Sequence, residues 1–155
     1  MSTRLHTRGT AALATAALAL MTGAAQAADP IVGAWLGTIQ PADCATGEPL
    51  PAPAHRGMLL YHHGGTLTNT DANLTGRGPG FGTWWREGQG YQTRFTFLRI
   101  DNGTAVGTTL VSRTVELGAD GKSSQGFAVV QLYGMGGNLL PVGPFCSRDN
   151  GVRLP

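Results

Sequence analysis

The chain has 155 residues, of which 41% are hydrophobic and 13% charged, with 24 glycines and a formal net charge of +2. Its length suits one domain that can bury its own core. Arg4 and Arg8 stand in the N-terminal segment, and the rest carries nine basic and nine acidic side chains. A neutral chain without a basic run lacks the electrostatic footprint of a nucleic-acid binder or an anionic-membrane binder.

The first 27 residues have the three-part layout of a secretory signal peptide. Arg4, His6 and Arg8 form the basic start, "AALATAALALM" the apolar run, and Ala25-Gln26-Ala27 the small residues read by a signal peptidase. The apolar run is well short of the roughly 20 residues a membrane span requires. The expectation is a signal peptide over 1–27 and a secreted or periplasmic, not membrane-spanning, domain over 28–155. Cys44 and Cys146 are the two cysteines. In an exported chain such a pair implies one structural disulfide, and neither cysteine lies in a C-x-x-C redox or metal motif.

After residue 27, short runs of strand formers alternate with turn chemistry, and no stretch keeps a helical period. The first predicted strand is 31–39. A proline-rich loop follows over 41–54, where Pro49, Pro51 and Pro53 forbid a regular strand. Strands are predicted over 56–63 and 66–70 across Gly64-Gly65, then a loop over 72–80 and a strand over 81–87. The next strand is 91–100. Asn102-Gly103 supplies the two positive-φ positions of a tight hairpin turn before a strand over 104–117. Asp120-Gly121 turns the chain into 123–134, and Gly136-Gly137-Asn138 into a last strand over 139–147, broken by Pro141 and Pro144. About eight strands in sequence order predict an all-β fold, an eight-stranded antiparallel up-and-down barrel. A β-sandwich is the alternative.

The stretch "GTWWREGQGY" sets two tryptophans on opposite faces of one strand. If Gly88-Gln89-Gly90 is a three-residue loop, Trp85 faces Thr93. Phe81, Trp85, Tyr91, Phe95 and Phe97 then share the interior, while Trp84 lies outside against Arg94. A two-residue turn would reverse this assignment. Farther along, both faces have apolar character, which suits a packed exterior, a homodimer contact or a cavity lining.

Gly33-Ala34-Trp35 resembles the G-x-W signature near the start of lipocalins and other calycins. That resemblance implies that Trp35 closes one end of a barrel and that a C-terminal arginine, Arg153 or else Arg148, packs over it. It also implies a small hydrophobic ligand inside. The expected lining is Trp85, Tyr91, Phe95 and Phe97, with Tyr61 or Tyr133 as the polar contact.

Other chemistry has less support. His62 and His63 point to opposite faces as strand neighbours, and no H-x-H or H-E-x-x-H spacing accompanies them or His55, so no metal or cofactor is implied. A cofactor-free cyclase or isomerase using the same cavity is the second reading, with Tyr61, Tyr91, Glu87 or Asp71 moving a proton. The frame also resembles small periplasmic protease inhibitors, for which Asp29-Pro30 would begin the inhibitory arm. An antiparallel pairing of the first strand with a last strand over 139–147 would hold Cys146 away from Cys44. The bridge therefore needs a folded-back loop or a later last strand.

Overall fold

The computed structural model describes residues 28–72 and 76–155. The proposed signal peptide, 1–27, lies outside the described residues. Eight strands follow one another: β1 (Gly33–Ala42), β2 (His55–Tyr61), β3 (Thr66–Asp71), β4 (Arg77–Glu87), β5 (Gly90–Asp101), β6 (Thr104–Leu117), β7 (Ser123–Tyr133) and β8 (Phe145–Arg153). Each pairs antiparallel with the next, and β8 closes on β1. This is the up-and-down barrel and not the sandwich, and closure leaves no unpaired edge. No helix among the described residues is long and apolar enough to cross a membrane.

Turn chemistry sets the register. Asn102 and Gly103 have φ of 48° and 78°, as a two-residue hairpin turn between Asp101 and Thr104 requires. The turn between β4 and β5 corrects the sequence expectation. Glu87 pairs with Gly90, so Gly88-Gln89 is a two-residue turn, with φ of 57° at Gly88. Gly90 belongs to the ladder, where a Cβ would lie 2.7 Å from the Val115 carbonyl oxygen. The one-residue difference turns every side chain of β4 over. Trp84 pairs with Thr93 and is 9% exposed, whereas Trp85 is 45% exposed and faces outward with Phe81.

One end of the barrel is packed shut. Trp84 stands edge-on to Tyr61 and Tyr91, with centroids 6.3 and 5.9 Å away, and its Nε1 donates to the His62 carbonyl at 3.0 Å. Trp35 Nε1 donates to Ile31 O at 2.8 Å, and Ile31 is fully buried. Burying an aromatic side chain of this kind stabilises by roughly 3 kcal/mol. The Arg153 guanidinium lies over Trp35, 4.8 Å from its ring centre. It donates to Val32 O at 2.7 Å, Gly121 O at 3.2 Å and also Pro30 O. Gly33 has a physical reason to be glycine: its φ is 132°, and a Cβ there would sit 2.7 Å from Arg153 Nη1. Of the two arginine candidates, Arg153 fills the place over Trp35. Arg148 is exposed on β8.

Cys44 and Cys146 are bonded, with Cα atoms 5.2 Å apart. β8 starts later than the sequence predicts, after Pro141 and Pro144, so Cys146 pairs with Ala42 at the end of β1. Cys44 is two residues farther on. The bridge therefore spans the rim of the barrel end opposite Trp35.

Candidate functional site

The inward rows of the two barrel halves differ in side-chain volume. Around Trp35 and Trp84 they fill the interior and leave a void of only about 10 Å³. Toward the disulfide, Gly57, Gly37 and Gly151 are register partners in one row across β2, β1 and β8. Gly37 and Gly151 border the small void and Gly37 also the space beyond it, where the interior opens into a cavity of about 620 Å³, a size typical of small-molecule sites. Phe95, Phe97, Val111, Ala128 and Val130 form its apolar wall on β5, β6 and β7, with Ile39 and Leu59 opposite. Leu50, Pro144 and Phe145 stand at the mouth beside the disulfide.

The floor is polar. Arg113 on β6 reaches across β7 to Asp149 on β8, donating from Nε at 2.6 Å and also from Nη2. Its Nη1 donates to the Tyr61 hydroxyl at 2.7 Å, coming from the packed half. Gly126 makes this crossing feasible, because a Cβ at that position would lie 2.6 Å from both Arg113 Nε and Asp149 Oδ2. Arg113 and Asp149 are only 5% and 7% exposed. Burial alone would push the Arg113 guanidinium down; Tyr61 and Asp149 outweigh it and hold the group above its ordinary value. Burial is also the largest influence on Tyr61 and raises its phenol, against the opposing charge of Arg113.

A second polar group lines the wall formed by β2, β3 and β4. Arg77 donates to Asp71 and to Asn69 Oδ1, and its guanidinium stacks 3.5 Å from the centre of the Phe97 ring. Burial pushes Arg77 below its ordinary value, while the Asp71 carboxylate pulls the other way. His55 Nε2 lies 3.8 Å from Asp71 Oδ2. Asn69 turns its amide onto the Met58 carbonyl at 3.1 Å. Both inner arginines thus carry a carboxylate partner.

Of the residues read from sequence as the lining, Phe95 and Phe97 border the cavity. Trp85 does not, for the register reason above. Tyr91 belongs to the packed end, where its hydroxyl donates to Asp29 at 2.5 Å and accepts from Arg86 at 3.0 Å. Tyr61 lies beneath the floor and meets the cavity through Arg113. Tyr133 alternates with the inward Val130 and Leu132 row partners and falls on the outer face, its carbonyl accepting from Arg99 at 3.0 Å. Glu87 is exposed at the β4–β5 turn. Among the described residues no group of three His, Cys, Asp or Glu side chains gathers to hold a metal.

Sequence reading missed Arg113, Asp149 and Arg77. Arg113 did leave a trace: it stands between Val111 and Val115 at a spacing of two, on the face those valines bury. Asp149 left none, lying in a stretch, "RDNGVR", whose composition reads as a turn. Compared with known proteins, the chain matches no family model, no curated protein and no solved structure.

Proposed function

We propose that this chain is an exported, calycin-like barrel that binds a small, mainly apolar molecule in the open half of its interior. The observation that carries the reading is the cavity of about 620 Å³, walled by Phe95, Phe97, Val111, Ala128 and Val130, with its mouth beside the disulfide. The arrangement of Gly33, Trp35 and Arg153 at the closed end supports the lipocalin-like part of the reading. The Cys44–Cys146 bridge supports an oxidising, secreted or periplasmic setting.

Turnover has less support than binding. A general base needs a free acceptor near its substrate, whereas Asp71 and Asp149 are held by guanidinium groups and the phenols of Tyr61 and Tyr91 are raised. The inhibitor reading is weakened by the N-terminal arm. Asp29 is bonded to Tyr91, Pro30 to Arg153, and Ile31 is buried.

The test uses N-phenyl-1-naphthylamine, an uncharged fluorophore that brightens in apolar sites. Saturable brightening at one probe per chain is the expected result. Val130→Trp, which places an indole in the cavity, should weaken it at least tenfold with the thermal midpoint kept. Equal binding by this variant would place the site elsewhere, and no brightening at all would sink the reading.

A further inference from the structure

The proposed cavity can be read for the charge of its occupant, an inference that rests on the ligand-binding reading. We propose that the occupant is an uncharged amphipathic molecule, an apolar body with an alcohol, ketone or ester oxygen at its inner end, and that carboxylates are excluded. Six charged or titratable side chains among the described residues line the space. Arg113 is bonded to Asp149, and Arg77 to Asp71. His55 lies beside Asp71. The remaining charged group, Asp43 at the rim, accepts from its own loop at Ala45 N, Thr46 N and Thr46 Oγ1, at 2.9, 2.8 and 3.1 Å.

No cation in this set lacks an anion bonded to it. A carboxylate entering the cavity would lose its hydration and find no free positive partner. An ammonium meets the converse problem, since both inner carboxylates already hold guanidiniums. A neutral oxygen meets neither. Arg113 has five N–H donors, and three of them are engaged, by the two Asp149 oxygens and Tyr61. The two left over are hydrogen-bond donors on a residue that lines the floor of the space, and a carbonyl or hydroxyl oxygen satisfies them without bringing a charge.

The experiment displaces N-phenyl-1-naphthylamine from the full-length mature protein at pH 8 with four ten-carbon probes: 1-decanol, 2-decanone, decanoate and decylammonium. The alcohol and ketone should displace it at concentrations at least tenfold below the two ions. Decanoate or decylammonium acting as well as 1-decanol would overturn the proposal while leaving the cavity reading intact. Failure of the fluorophore itself to bind would overturn both. A second measurement tests the part played by Arg113. In Asp149→Asn, where the guanidinium loses its anion, decanoate should gain at least tenfold on 1-decanol; a folded variant without that gain refutes the assignment. The wild-type ranking stands as the criterion if the variant does not fold.

Discussion

Arg113→Met isolates the buried ion pair at the barrel's centre. The substitution keeps a stem of similar length and removes the guanidinium. Asp149 then loses both of its hydrogen bonds to that group, one of them 2.6 Å long, and the Tyr61 hydroxyl loses its own at 2.7 Å. Asp149 is only 7% exposed, at the floor of the cavity, so little water is at hand to replace those donors. Stranding one member of a buried pair costs about 3–5 kcal/mol, against a total stability of about 5–15 kcal/mol for a domain. With a urea m-value of about 2 kcal/mol/M, the unfolding midpoint should fall by about 2 M. Pairing the change with Asp149→Leu removes the stranded charge, and replacing a whole buried pair by apolar groups is often neutral. The double variant should therefore recover most of the loss. A single variant within about 1 kcal/mol of wild type, or a double variant no better than the single, would refute the view that Asp149 depends on Arg113.

The two neighbouring tryptophans should behave oppositely on truncation. Trp84→Ala should cost about 3–5 kcal/mol by opening a cavity between Tyr61 and Tyr91, whereas Trp85→Ala should cost less than about 1 kcal/mol; equal urea midpoints would reject the two-residue turn. Alkaline stability should report Tyr61. Its phenol is raised by burial in the folded state, so the unfolded chain releases this proton first, near pH 10. The contribution is complete below that pH and is lost as the pH rises toward the folded-state value. Urea midpoints measured from pH 8 to 11 should therefore fall less steeply in Tyr61→Phe than in wild type, and parallel curves would count against the buried placement.

Much of the architecture was legible because it rests on local chemistry. Strand formers separated by turns set the number and order of the strands, and Asn102-Gly103 set one hairpin through the positive φ that its turn demands. The span 104–117 coincides with β6. Trp35 and Arg153 were readable as partners through a resemblance, and Gly33 now has a contact that explains it. Where a glycine's role depended on a distant strand, reading failed. Gly90 looks like loop chemistry, yet it is a ladder residue opposite Glu87, and it is glycine because the Val115 carbonyl leaves no space for a Cβ.

The last strand shows the same limit. "RDNGVR" has the composition of a turn, but two neighbours, β1 and β7, hold it extended as part of β8. In that register Gly151 faces Ser124 Oγ, which a Cβ would approach to 2.4 Å. Periodicity and turn type, both local, determined an all-β chain of eight strands, and the pair of cysteines implied its one disulfide. The cavity floor was decided only by closure. Arg113 and Asp149 are 36 residues apart on strands that are not neighbours, and meet because Gly126 between them has no side chain. Pairing across a barrel depends on which strands curve to face each other and on what the intervening strand leaves empty. No spacing along the chain records either.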